Sequence, residues 1–148
     1  MKKVAYLLLF FSLILFACQS NGRTTSAPPS PSSAPLGEPF TLRADQETTI
    51  DDSDLTLKFE AVLEDSRCPT NVECFWTGQA RILITAQEGD QDPVALEFNT
   101  NPAPGQTVDT LTVNDYTIQL EEVVPYPEDP DTPIPFSDYQ VTVIVTRP

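Results

Sequence analysis

The sequence predicts an all-β domain, an antiparallel sandwich of seven or eight strands with a small β-barrel as the alternative architecture. Three observations carry the prediction. Apolar residues recur at every second position in several separate stretches, turn-forming residues interrupt every one of those stretches, and nowhere does the spacing fit an amphipathic helix.

The clearest strand is Leu55, Leu57, Phe59, Ala61 and Leu63 alternating with Thr56, Lys58, Glu60 and Val62. Ala80, Ile82, Ile84 and Ala86 follow the same period, as do Val94, Leu96 and Phe98, then Tyr116, Ile118 and Leu120, and finally Tyr139, Val141, Val143 and Val145. Edge strands are expected near 39 to 43, 47 to 50 and 107 to 113. Turns stand between them at Asp51-Asp52-Ser53, Glu88-Gly89-Asp90, Asn101-Pro102-Ala103-Pro104-Gly105 and Asn114-Asp115, where short polar side chains, glycine and proline suit tight reversals. A chain of 148 residues has room for one such core.

The first residues read as an address. Lys2 and Lys3 precede thirteen residues, Val4 to Phe16, in which Ser12 is the one strongly polar side chain. This is the length of a signal-peptide core and is short of the roughly 20 apolar residues that a spanning helix needs. The segment ends Leu15-Phe16-Ala17-Cys18, which resembles the bacterial lipobox. The resemblance implies that residues 1–17 are removed, that Cys18 receives a diacylglyceryl group, and that the new amine is acylated. Two or three acyl chains are enough for stable attachment to a bilayer, where one is marginal. Gln19 rather than Asp after the cysteine resembles lipoproteins sorted to the outer membrane in cells that have two membranes.

Residues 18–37 join the anchor to the domain. From Gln19 to Gly37 the chain is nineteen residues of mainly Ser, Thr, Pro, Gly and Ala, stiffened by Pro28, Pro29, Pro31 and Pro35. At about 3.1 Å per residue of polyproline II, such a linker spans on the order of 40 to 60 Å. The domain proper is expected over 38–148. All 22 acidic residues follow Cys18, and Lys2 and Lys3 precede it, so the processed chain carries 22 acidic against 6 basic groups. That field opposes nucleic acid and anionic headgroups, so attachment to the membrane is expected through the lipid.

The most distinctive segment runs from Asp65 to Ala80, Asp-Ser-Arg-Cys-Pro-Thr-Asn-Val-Glu-Cys-Phe-Trp-Thr-Gly-Gln-Ala. Outside the cytoplasm, two cysteines beyond the lipidated one are expected to pair, and Cys68 and Cys74 then close a short loop. The competing metal site lacks ligands, since the chain has no histidine and no further cysteine. Continuing the alternation back from Ile82 puts Ala80, Gly78, Trp76 and Cys74 on one face and brings the sole tryptophan beside the bridge in the core. A tryptophan against a disulfide resembles part of an immunoglobulin domain, although there the bridge joins two sheets and the tryptophan lies between the cysteines. The spacing of Asp65, Ser66, Arg67, Cys68, Pro69, Val72, Cys74, Trp76, Gly78 and Ala80 resembles a family of small bacterial secreted proteins and lipoproteins. That resemblance implies fold and location, and no activity.

Asp65 and Arg67 are read as structural, accepting backbone amides and bridging carboxylates such as Glu73. Ser66 has no base to activate it, because Lys58 is the only lysine left after processing and its strand position points outward. Asp51, Asp52 and Asp54 resemble part of a calcium loop, but Thr56 and Val62 stand where glycine and glutamate are needed. The proline-rich acidic segment 125–136 is either a stiff loop packed by its own aromatics or a binding loop offering Tyr126, Asp129, Asp131 and Phe136. The expected function is a lipid-anchored binding or assembly module of the cell envelope, with an envelope protein or ligand as partner, no cofactor and no catalysis. A carboxylate-pair hydrolase and a weak calcium-binding domain are the alternatives.

Overall fold

A computed structural model describes residues 32–102 and 109–148. The signal segment, Cys18 and the linker as far as Pro31 lie outside the described residues, as does the start of the edge strand expected at 107. Over the described residues the fold is a sandwich of nine strands: β1 (Ser32–Ala34), β2 (Pro39–Arg43), β3 (Glu47–Ile50), β4 (Leu55–Asp65), β5 (Ala80–Glu88), β6 (Val94–Asn99), β7 (Thr110–Val113), β8 (Tyr116–Val124) and β9 (Gln140–Thr146). One sheet has the order β1-β3-β4-β5-β6 and the other β2-β9-β8-β7, so two open sheets face each other and no barrel closes. Every pairing is antiparallel except β1 with β3. No helix among the described residues is long and apolar enough to cross a membrane.

The core is the alternating residues of both sheets. Leu55, Leu57, Phe59, Ala80, Ile82, Ile84 and Phe98 from one sheet meet Leu42, Tyr116, Ile118, Val141, Val143 and Val145 from the other, all essentially without solvent contact. Burying an aliphatic or aromatic side chain of this size contributes roughly 1.5 to 3 kcal/mol, which is why the period of two decides the architecture. Val94, expected to face inward, is instead 43% exposed, since it begins β6 at the rim of the sandwich.

Three features depart from simple alternation. In β4 the register with β5 shifts between Phe59 and Ala61 and again between Val62 and Glu64. These bulges turn Val62 toward the core and leave Leu63 exposed, reversing the expectation for that pair, and then return Asp65 to the inner face opposite Ala80. A third shift, between Leu120 and Glu122 of β8, brings Val123 inward. All three lie toward the same end of the sandwich, the end where β4 leaves and β5 enters.

The sheet also begins earlier than the expected boundary at residue 38. Ser32, Ser33 and Ala34 pair in parallel with Thr48, Thr49 and Ile50, and Ala34 is buried. The Ser32 hydroxyl sits 2.6 Å from the Thr48 hydroxyl and accepts from Gln46, so a stretch with linker composition is ordered by side-chain hydrogen bonds and one small apolar residue. Ala34→Asp, which forces a charge against Ile50 and the rim of the core, is expected to cost at least about 2 kcal/mol. Urea unfolding checks this, and an unchanged midpoint would place the start of the folded unit after residue 34.

Candidate functional site

At the bulged end of the sandwich the chain between β4 and β5 forms a long disulfide-bridged loop, here called the clip. Its two legs continue the ladder past the strands: Ser66 N–H donates to Gln79 O at 2.8 Å and Cys68 N–H to Thr77 O at 3.0 Å, and a Cys68–Cys74 disulfide closes the tip. In the chain-entropy account, closing a seven-residue loop removes about 2 to 2.5 kcal/mol of unfolded-state freedom. Gly78 makes the return leg sterically feasible. It has φ +68°, and a Cβ there would meet the Ser66 carbonyl oxygen at 1.8 Å.

That left-handed glycine ends the alternation expected to run from Ala80 back to Cys74. β5 starts at Ala80, and Trp76 lies outside the core, 74% exposed, with Phe75 beside it wholly exposed. The tryptophan therefore does not pack in the core beside the bridge. Val72, 40% exposed, joins them, so the clip presents three apolar side chains to solvent on a braced loop. The bracing is extensive. Asn101 donates to Thr77 Oγ1 and to Gly78 O, Asn99 donates to Gln79 Oε1, Gln79 donates to Glu64, and Thr70 N–H reaches Pro127 O at 3.0 Å.

Beneath the clip lies a buried ion pair. The Arg67 side chain is 7% exposed and grips Asp65 with both ends of its fork, Nε to Oδ1 at 2.8 Å and Nη2 to Oδ2 at 2.6 Å. Its remaining donors reach across to the opposite sheet, Nη1 to Val123 O and Nη2 to Pro125 O at 2.8 Å, and its flat face lies 4.8 Å from the centre of the Tyr126 ring. Tyr139 donates its hydroxyl to Asp65 Oδ2 at 2.8 Å. Sequence reasoning assigned Asp65 and Arg67 to structure but gave Arg67 the wrong partner. Its carboxylate is Asp65 rather than exposed Glu73, because Asp65 is turned inward by the β4 bulges. Burial pushes the Asp65 carboxyl up, but hydrogen bonds from Arg67 and Tyr139 and the Arg67 charge outweigh it and hold the group below the ordinary range. Burial and the Asp65 carboxylate push the Tyr139 hydroxyl up to about 12.

Open depressions flank the clip. One, of about 380 Å³, lies between Asp65, Ser66 and Arg67 and the proline-rich loop at Asp129, Pro133 and Ile134. Another, of about 420 Å³, lies between Thr77, Asn101, Glu121, Glu122 and Tyr126. Of the expected loop contacts, Tyr126 is 45% exposed beside Arg67, and Asp129 and Asp131 are exposed, the Asp129 carboxylate accepting from Asp131 N–H at 2.8 Å. Phe136 is partly buried. It packs edge-on against Phe59, ring centres 5.2 Å apart, closing the core beneath the loop.

The chemistry open to these groups is limited. Asp65 has its oxygens occupied by Arg67 and Tyr139, so it does not carry the labile proton of a general acid. Ser66 donates to Glu64 at 2.9 Å, while Lys58 is paired with Glu60 at 2.9 Å on the outer face of β4. Asp52 and Asp54 share a depression with Glu88 and Arg147 at the far end of the sandwich. Among the described residues, no three acidic or cysteine side chains converge as metal ligands. The exposed Phe75–Trp76 tip was missed in the sequence because the alternation appeared to continue through it; Gly78 directly after Thr77 was the available signal for a break.

Breaking the ion pair is expected to be costly, since it strands a buried charge. Asp65→Asn should lose about 3 to 5 kcal/mol at neutral pH. Because the folded carboxyl sits below its unfolded value of about 3.9, its contribution is complete above that pH and lost as pH falls through the folded value. Urea midpoints measured from pH 7 to pH 2.5 should therefore fall less steeply in Asp65→Asn than in the native chain, and parallel curves would contradict this role. Gly78→Ala should cost about 3 kcal/mol or more through the clash with Ser66, whereas Gly89→Ala should cost only about 1 to 2 kcal/mol. Gly89 has a similar φ of +53° but nothing within 4 Å of its missing Cβ. Equal losses by thermal unfolding would mean that the close approach to Ser66 is not what requires glycine at position 78.

Compared with known proteins, the chain matches no protein-family model, no curated protein and no solved structure, so the reading of its site rests on geometry and chemistry.

Proposed function

We propose that this chain is a lipid-anchored protein of the bacterial cell envelope whose β-sandwich is a non-catalytic binding or assembly module, with the clip end as its contact surface. The observation that carries the reading is the clip tip itself, where Phe75 and Trp76 are 101% and 74% exposed on a loop held by a disulfide and a hydrogen-bond network. Large aromatic side chains kept in water contribute nothing to folding, and contiguous exposed apolar groups mark contact sites. A loop ordered in advance also gives up little entropy on contact. The lipobox-like end at Cys18 and the thirteen residues from Gln19 to Pro31 supply the anchor and tether of the reading. Cys18→Ser should abolish membrane attachment as a lipoprotein, and a native N-terminus beyond residue 18 without acyl groups would contradict the anchor.

A photoreactive side chain in place of Phe75 tests the contact surface in intact cells. Cross-linking to an envelope component is expected from position 75, and not from Val94, which is exposed at the opposite end of the sandwich. Equal or absent cross-linking at the two positions would show that the clip is not the contact surface.

A further inference from the structure

The direction in which the chain enters the fold bears on what the clip tip meets. β1 is parallel to β3, with Ser32 beside Thr48, and β3 is antiparallel to the first half of β4, with Thr48 beside Leu57. β1 therefore runs away from the clip, and its first residue, Ser32, stands at the end of β1 that faces the clip. Thirteen residues, Gln19 to Pro31, separate Cys18 from Ser32, which is about 40 Å at the polyproline II rise. Ser32 stands level with Leu57, and from there to the end of β4 the two bulges leave six rungs of β5, Ala86 to Ala80, about 20 Å at the strand rise. The clip extends beyond that. The reach of the tether is thus enough, in the lipoprotein reading, for the clip to meet a surface that holds Cys18.

The tip is chemically suited to that surface. Val72, Phe75 and Trp76 are exposed on a disulfide-closed loop, and a fluid interface accepts such side chains without a preformed pocket. Aromatic rings favour the headgroup level of a bilayer, and a covalent tether makes their insertion intramolecular, so a weak intrinsic affinity suffices. Charge selects the kind of bilayer. Glu73 lies in the loop, Glu121 and Glu122 line the depression beside Thr77, and the nearest arginine, Arg67, is neutralised by Asp65. An anionic surface is repelled and a zwitterionic one is not.

We propose that the clip tip is a membrane-contact element: in the anchored protein Val72, Phe75 and Trp76 seat among the headgroups of a zwitterionic bilayer, and the domain rests clip-down on the membrane that carries its lipid. The inference deepens the lipoprotein reading and rests on it for the tether. The Pro-rich segment is then a short leash rather than a spacer that holds the domain away.

Trp76 is the sole tryptophan, so its fluorescence reports the tip directly. The acylated full-length product is reconstituted in phosphatidylcholine vesicles, and quenching is read with aqueous iodide and with lipids brominated near the headgroup. The expected result is a blue-shifted emission, a several-fold fall in iodide quenching relative to the vesicle-free protein, and quenching by the brominated lipid. Phe75→Asp should restore iodide access while leaving the melting temperature unchanged, because Phe75 makes no buried contact. Acylated protein that floats with the vesicles yet keeps Trp76 open to iodide would overturn the inference and leave the anchor intact. Native protein found to carry no acyl groups whose Trp76 is still shielded by vesicles would uphold the contact and overturn the anchor. Shielding that is already present without vesicles would assign the tip to a second copy of the chain and overturn the inference.

Discussion

Arg67 is the side chain on which the clip end of the sandwich depends. It leaves β4 on the first sheet, takes the inward-turned Asp65 as its counter-ion, and spends its other donors on the carbonyls of Val123 and Pro125 where β8 of the second sheet ends. Tyr139, just before β9, completes the coordination of Asp65. Three strand ends from two sheets are thereby joined by one charge-assisted network at a place where both sheets run out of apolar side chains. A guanidinium can do this and an ammonium cannot, because its fixed fork satisfies a carboxylate in two bonds while still facing two further acceptors. The interaction is exacting: a buried ion pair adds little beyond its desolvation cost, but losing either partner leaves an uncompensated charge inside. Among the described residues no buried side-chain donor or acceptor is left unmatched, so that cost is met.

The clip inherits its rigidity from this base. Its legs rise from Asp65 and Ala80, which face each other across the last rung of β4 and β5, and are pinned by the disulfide, by the Gly78 close approach and by the amides of Asn99 and Asn101. Stability and contact are therefore assigned to different side chains. The core and the ion pair hold the domain, while Phe75 and Trp76 touch almost nothing within it and are free to serve an outside surface. The acidic surface fits the same division. Lys58 and Arg81 are consumed in pairs with Asp45, Glu60, Glu64 and Glu97, which leaves a field that discourages indiscriminate association, in keeping with the proposed contact through the apolar tip.

How much was legible in the sequence follows from the range of the interaction involved. Alternation is local, so the strands at 39–43, 47–50, 55–63, 80–87, 94–98, 116–120 and 139–145 could be read from spacing and their turns from Asp, Asn, Gly and Pro. The cysteine pairing was readable because, with Cys18 assigned to the lipid, Cys68 and Cys74 are left with each other. Features set by register between strands were not readable. The exchange of Val62 for Leu63 at the core face, the inward turn of Val123 and the pairing of Asp65 with Arg67 all arise from bulges that no residue type announces. β1 has the composition of a linker because Ser32, Ser33 and Ala34 carry no apolar period, and only the edge of β3 gives them hydrogen-bond partners.

By itself the sequence determined an all-β sandwich with a disulfide-clipped loop, since hydrophobic period, turn chemistry and cysteine count are properties of neighbouring residues. Only the tertiary structure decided which side chains the clip shows to solvent. Trp76 has the composition of a core residue and the phase of one. What expels it is the left-handed Gly78 packed against the Ser66 backbone, a contact between two legs of the chain that exists only once β4 and β5 are paired.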